Sequence, residues 1–266
     1  MLSAPLSEYN FSNLYLFRKV HNYKLQELEN GTLSIVGTSY DNHTFLMPLF
    51  RPKKWSDLIA CAKTVGAEFL FPIPENFWPE IEQEGFSVSA IDDESDYLYE
   101  AECIRACRGR HLAPHRNIVR QLFGTHDVSC VRYTPDLLSD ATSIINGWAD
   151  KRDLSHESAD ISPFLEGVQH AQRLHIEGWL FYIDAKPVGC IFGQTLSKET
   201  YLYHFSKTAS QYRGLAQHMH QRTAEDIPEQ FTYLNWEQDL GIPGLRQFKR
   251  SFQPTQLLQK GRVWVR

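Results

Sequence analysis

Residues 200–216 read Thr200-Tyr201-Leu202-Tyr203-His204-Phe205-Ser206-Lys207-Thr208-Ala209-Ser210-Gln211-Tyr212-Arg213-Gly214-Leu215-Ala216. Thr200–Phe205 alternates as a strand, with Tyr201, Tyr203 and Phe205 on one face and Leu202 and His204 on the other. Gln211–Ile227 reads as a helix whose apolar stripe is Tyr212, Leu215, Ala216, Met219, Thr223 and Ile227. Between the two, Gly214 permits a close backbone approach and Ala216 keeps the first turn small. The free N–H groups of such a helix start can hold an anion, although an ordinary tight helix start looks the same.

The neighbouring segments extend this strand–turn–helix unit in both directions. Trp179–Ile183 and Val188–Leu196 predict a hairpin across Asp184-Ala185-Lys186-Pro187. Ahead of it lie a strand at Val128–Tyr133 and helices at Pro135–Ala149 and Phe164–Leu174. The polar stretch Lys151–Ser162 between those helices predicts a mobile loop. Downstream come a strand at Phe231–Leu234, a short helix after Pro243 and a last strand at Arg262–Val265.

The first half repeats the mixture. Thr32–Thr38 and Thr44–Leu49 flank the turn signal Asp41-Asn42 as a strand pair. Trp55–Val65 has helical spacing, and Phe69-Leu70-Phe71 reads as a buried strand stopped by Pro72 and Pro74. Phe77–Glu84 is a short helix before Gly85. Phe86–Ile91 and Tyr97–Tyr99 are strands, and Arg116–Phe123 is a helix ending at Gly124. The pattern restarts at Val128, so two α+β domains are expected, residues 1–126 and 127–266. Each would be a mostly antiparallel sheet flanked by helices.

The chain has 266 residues, 42% of them hydrophobic and 22% charged, which is ordinary for a folded chain and excludes disorder and collagen-like structure. No apolar run approaches the ~18–20 residues that span a bilayer. Five cysteines at irregular spacing, and no basic flank before an apolar N-terminal stretch, predict free thiols and a cytoplasmic location. A net charge of −5 argues against a general nucleic-acid coat but leaves room for a local basic site. One such strip follows six acids in 92–102. It carries Arg105, Arg108, Arg110, Arg116 and Arg120 with His111, His115 and His126, and is either a solvated helix face or a surface for phosphate or RNA backbone.

Several chemistries lack their motifs: no Gly-x-Ser-x-Gly, Walker or His-Glu-x-x-His pattern occurs. Cys103 and Cys107 have no second pair at zinc-site spacing, and no metal site is expected. The richest stretch is Asn235-Trp236-Glu237-Gln238-Asp239-Leu240-Gly241-Ile242-Pro243-Gly244-Leu245-Arg246-Gln247-Phe248-Lys249-Arg250-Ser251-Phe252-Gln253-Pro254. If the strand persists, Asn235, Glu237 and Asp239 point the same way. Pro243 suits a helix's first turn, which would return Arg246 and Lys249 towards the carboxylates. They would bind an anion there, or form a salt-bridge network that fastens the helix to the sheet.

This stretch resembles the signature of the DUF2156 family, whose members resemble the C-terminal catalytic domain of phosphatidylglycerol lysyltransferase. Phe11-Ser12-Asn13-Leu14-Tyr15 is similar to the family's opening Phe-x-Asn-Leu-Tyr. Asp96-Tyr97-Leu98-Tyr99, Gly109-Arg110 and Arg116-Asn117 resemble its central block. His204-Phe205-Ser206-Lys207 with Tyr212 and Gly214 resembles its strand-to-helix segment. The sequence departs at Arg110 and His115, where the family usually has lysine. The Gln-x-x-Gly-x-Ala turn at 211–216 also resembles the pyrophosphate-binding turn of GNAT acyltransferases.

The resemblance implies two tandem GNAT-like domains with the active site in the second. It further implies transfer of an acyl or aminoacyl group from an activated donor, acyl-CoA or aminoacyl-tRNA, to an amine or hydroxyl. The acceptor would be a small molecule or a lipid head group, and no tightly bound cofactor is expected. On this reading Gln211, Arg213, Gly214 and Ala216 hold the donor. Asp239 and Glu237 serve as base or amine-binding groups, with His204 as second choice. Asn235, Arg246, Lys249, Lys207, Arg110 and Arg116 bind the acceptor or an anionic group. The rival expectation is a binding protein on the same scaffold that recognises RNA or an anionic small molecule.

Overall fold

The computed structural model describes residues 5–29, 31–151 and 160–265. They form two compact units, one drawn from residues 5–97, 237–246 and 256–265, the other from residues 98–151, 160–236 and 247–255. The fold is α+β, with two mixed sheets flanked by helices.

The first unit's sheet runs in the order Lys24–Glu27, Leu33–Thr38, Thr44–Pro48, Phe69–Pro74, Lys260–Trp264, Val88–Ala90. All its pairings are antiparallel except Thr44–Pro48 with Phe69–Pro74. The helix Trp55–Thr64 buries Trp55, Leu58, Ile59 and Ala62, the spacing read from the sequence. Pro72 and Pro74 do not stop their strand. The parallel pairing ends at Leu46↔Leu70, so no ladder bond on that side needs a proline N–H, while Lys260–Trp264 pairs the other edge as far as Pro74.

In the second unit the strand order is 98–100, Tyr233–Asn235, Thr200–Thr208, Lys186–Thr195, Glu177–Ile183, Val128–Arg132. Thr200–Thr208 pairs Tyr233–Asn235 in parallel over three residues and Lys186–Thr195 antiparallel, and Glu177–Ile183 pairs antiparallel with both Lys186–Thr195 and Val128–Arg132. The expected hairpin forms, with Asp184 and Ala185 at φ 50° and 62°, the backbone that a two-residue hairpin turn needs. A register shift between Tyr203 and Phe205 interrupts the alternation expected along that strand.

The expected boundary at His126 falls inside the second unit. The helix Ala113–Thr125 packs on Leu215–Asp226, so 98–126 shares the second core, and the chain's end returns to the first sheet. Most of the predicted Lys151–Ser162 loop, residues 152–159, lies outside the described residues.

Candidate functional site

The turn at 211–216 carries a glycine for packing. Gly214 is buried at φ +93°, and a Cβ there would sit 2.6 Å from the Ile118 carbonyl oxygen of the helix Ala113–Thr125. That contact and the positive φ account for the glycine by themselves. The helix begins only at Leu215, and the N–H groups of Tyr212 and Leu215 are taken by Ala209 and Tyr212 carbonyls. Gln211 accepts from Lys151, Arg213 is exposed, and the Ala216 carbonyl accepts from His220 Nδ1 at 2.8 Å.

The polar C-terminal stretch does not continue as a strand. Pairing ends at Asn235, and Glu237 turns at φ +56°, so Asn235, Glu237 and Asp239 do not share one face. Asn235 belongs to the second unit, Glu237 and Asp239 to the first. The helix Pro243–Ser251 does bring Arg246 back to Asp239. Its Nε and Nη2 donate to the two carboxylate oxygens at 2.8 and 2.7 Å. Asp239 also accepts from Tyr97 Oη at 2.5 Å and Gly241 N–H at 2.8 Å, and Arg246 reaches Asp93 at 2.5 Å. Burial would raise the Asp239 carboxyl, but Arg246, Tyr97 and Gly241 hold it down at about 2. A fully buried carboxylate with four donors is a poor proton acceptor, so Asp239 is a clamp for the 237–246 segment. Asp239→Asn is expected to cost the fold ~3 kcal/mol, because it leaves Arg246 and Tyr97 poorly matched. Urea unfolding of the variant measures this directly.

Lys249 is not part of that network. It is buried in the second unit, where its ammonium donates to the Trp236 carbonyl at 2.6 Å. Lys207 is likewise buried, 2.5 Å from Asp160 and 4.0 Å over the Trp148 ring. His204 is buried beside Phe205. In the arginine strip, Arg116 donates to the Cys107 and Gly109 carbonyls, and Arg105 to Ala224, Ile227, Pro228 and Phe231 carbonyls. These two arginines brace the backbone of internal segments, 107–109 and 224–231, whereas Arg108, Arg110 and Arg120 are exposed.

The first unit holds a pocket of whose lining the sequence marks Glu237 alone as a candidate site residue. Three carboxylates line it, Glu8, Glu94 and Glu237, with Asn13, Ser39 and Gln238. Phe17, His21, Tyr23, Tyr40, Phe45 and Phe71 form its aromatic walls, and among the described residues no lysine or arginine lines it. The His21 ring packs at 5.3 Å on Tyr23 and 4.7 Å on Tyr40. Its Nδ1 meets the Thr38 carbonyl at 2.9 Å, and burial lowers its pKa, so it brings no charge at neutral pH. Glu237 accepts from Asn13 Nδ2 at 3.1 Å. Glu94 pairs with Arg262, which also holds Asp41 at 2.6 Å.

Glu8 belongs to a deeper cluster. The Lys260 ammonium, with no exposed surface, lies 2.6 Å from Glu8 and 2.6 Å from Asp96, which is equally buried. Asp96 also accepts from Ser7 N–H at 2.8 Å and Ser7 Oγ at 3.1 Å. Burial would lower the Lys260 ammonium, but Asp96 and Glu8 raise it above its ordinary value. Burial pushes the Glu8 carboxyl up to about 7, against the pull of Lys260 and aided by Asp96. The motif residues Asn13 and Asp96 thereby acquire physical roles, one orienting Glu237 and the other anchoring Lys260. Glu8 and Lys260 carried no sequence signal, since they lie 252 positions apart.

The family model for the phosphatidylglycerol lysyltransferase C-terminal region matches residues 2–260. The chain belongs to this family. Solved structures agree on the fold of this lysyltransferase C-terminal family member. A conserved protein of unestablished function from Bacteroides thetaiotaomicron superposes with a TM-score of 0.88 at 21% identity, covering 99% of this chain and 93% of the other. The C-terminal domain (DUF2156) of a protein described as a lysylphosphatidylglycerol synthetase from Agrobacterium fabrum gives 0.68 at 12% identity, covering 94% and 86%. L-PGS from Bacillus licheniformis gives 0.64 at 11% identity, covering 96% and 91%. No curated protein matches the chain. Among the described residues no helix is long and apolar enough to cross a membrane, and no group of metal-binding side chains occurs.

Proposed function

We propose that this chain is a transferase that moves an aminoacyl group from an activated donor to an amine or hydroxyl acceptor, and that the first unit's pocket receives the cationic part of the aminoacyl group. The observation that carries this reading is the pocket itself. Carboxylates at Glu8, Glu94 and Glu237 stand among aromatic faces with, among the described residues, no lining lysine or arginine, a combination that favours an ammonium group over an anion. The family's name, a lysyltransferase, supplies a substrate of that kind.

Aminoacyl-tRNA is the donor favoured over acyl-CoA. The glycine of the 211–216 turn is explained by its contact with Ile118, which removes the main support for a pyrophosphate site there. Exposed Arg108, Arg110, Arg120 and Arg213 remain available to a phosphate backbone. The acceptor would be a lipid head group such as phosphatidylglycerol, or a small amine or alcohol.

The test is transfer of label from tRNA charged with labelled lysine to phosphatidylglycerol vesicles or to a panel of small amines and alcohols. Transfer is expected from lysyl-tRNA, with a roughly 10- to 100-fold loss in Glu237→Gln if the carboxylate contacts the substrate ammonium. Folded protein that transfers label from no charged tRNA, but releases thiol from acyl-CoA, would establish the thioester donor instead. Inertness towards both donors would favour the non-catalytic binding protein.

A further inference from the structure

Charge counting around Lys260 leaves one carboxylate too many. Asp96 and Lys260 balance each other with no exposed surface. Glu8 is the second carboxylate on the same ammonium, also at 2.6 Å, and it lines the pocket. Donors are unevenly shared: Asp96 receives Ser7 N–H, while the Ser7 Oγ, with one proton to give, lies 3.1 Å from Asp96 and 3.2 Å from Glu8. With Glu8 ionised the trio carries a net charge of about −1 in a desolvated setting, and either a proton or an external cation can neutralise it.

Among the described residues nothing else facing Glu8 supplies that charge. Glu94 is bound to Arg262, Glu237 is a further negative group, and His21 is held neutral by burial. Tyr9 and Tyr23 are both raised by burial and by Glu8 itself, so they remain neutral phenols.

We propose that the pocket exchanges a proton for a cation, with Glu8 giving up its proton to solvent when an ammonium group binds beside it. This rests on the reading of the pocket as an ammonium site and adds a residue role and a pH dependence to it. The exchange is balanced: one cation enters, the Glu8 acid becomes a carboxylate, and one proton leaves. The elevated Glu8 carboxyl, at about 7, puts the exchange in the neutral range. Ligand affinity should therefore rise with pH until Glu8 is ionised without help, and level off above that. Glu8 acts as a specificity-determining group, since an uncharged ligand of the same size gains nothing from displacing the proton.

The experiment is calorimetric titration of the whole wild-type chain with n-butylammonium chloride, in buffers of different ionisation enthalpy, with n-butanol as the uncharged control. About one proton should be released per cation at pH 6 and almost none at pH 9, with about tenfold tighter binding at pH 8 than at pH 6. Glu8→Gln should bind with no proton release and a flat pH profile. If that variant fails to fold, the carbon-13 shift of the Glu8 carboxyl in the wild type reports the same event, moving to its ionised position on saturation at pH 6. Binding without proton release, an unmoved Glu8 signal, or no butylammonium binding would each overturn the inference. Proton-coupled binding in a protein inert towards every donor would remove the transferase reading and leave the exchange standing. Transfer from lysyl-tRNA without proton release would do the reverse.

Discussion

Lys260→Met is expected to destabilise the first unit by ~3–5 kcal/mol, lowering its melting temperature by roughly 10 °C. Methionine fills most of the lysine's volume, so the loss is electrostatic rather than a cavity. The variant strands Asp96, which has no exposed surface and loses the Lys260 ammonium 2.6 Å away, beside a second buried carboxylate, Glu8. The loss should be smaller at pH 5 than at pH 8, because stranded carboxyls can take up protons at the lower pH. Adding Asp96→Asn and Glu8→Gln to Lys260→Met should recover much of the stability, since neutral amides replace unpaired charges. Urea unfolding of the single and triple variants at both pH values checks this. A single variant as stable as the wild type at pH 8 would mean that the trio is hydrated rather than buried.

Where the sequence was legible, local rules decided the structure. The 3.6-residue spacing of Trp55, Leu58, Ile59 and Ala62 became the buried face of one helix, and the Asp184-Ala185 turn formed at positive φ. Both signals lie within a few residues of what they determine. The boundary between the units was not legible, because Lys260–Trp264 joins a sheet whose other strands end at Ala90. No local pattern announces a strand that returns across 170 residues. The pocket was hidden for the same reason. Glu8, Glu94 and Glu237 come from three distant segments; Glu94 stood in the acidic run 92–102 and Glu237 in the polar C-terminal stretch, and nothing local joins the two runs to each other or to Glu8. Asp239 stood in the same stretch as Glu237 but became a clamp, since Glu237 and Leu240 at φ 56° and 52° break the alternation that would have aligned it with Asn235. Spacing alone could not separate a pocket-lining carboxylate from one turned inward onto Arg246.

The second large effect is acid destabilisation of the other unit, driven by two histidines on the helix Leu215–Asp226. His218 packs edge-on against Phe123 at 4.8 Å and Phe181 at 5.8 Å. His220 lies 4.2 Å from the Trp236 ring and 5.1 Å from Phe248. Its Nδ1 must carry the proton, because the Ala216 carbonyl 2.8 Å away can only accept. Burial lowers both to about 4, with Arg222 adding to the effect at His218 and Lys249 at His220, where the Ala216 bond opposes it. In the unfolded chain each titrates near ~6.5, so between those values the unfolded state binds more protons and stability rises with pH. The unit should therefore lose roughly 3 kcal/mol per histidine as pH falls from about 6.5 to about 4. Glu8 works in the opposite sense in the first unit. Its folded pKa is raised, so the folded state holds the extra proton and stability falls as pH rises from about 4.5 through about 7. Residue-resolved hydrogen exchange at pH 5 and pH 7.5, corrected for intrinsic rates, should show protection in strands 179–195 weaker at the lower pH, and protection in strands 33–48 stronger there. His218→Asn with His220→Gln should flatten the first trend and leave the second untouched. Parallel pH responses in the two units would show that these buried groups do not govern their stability.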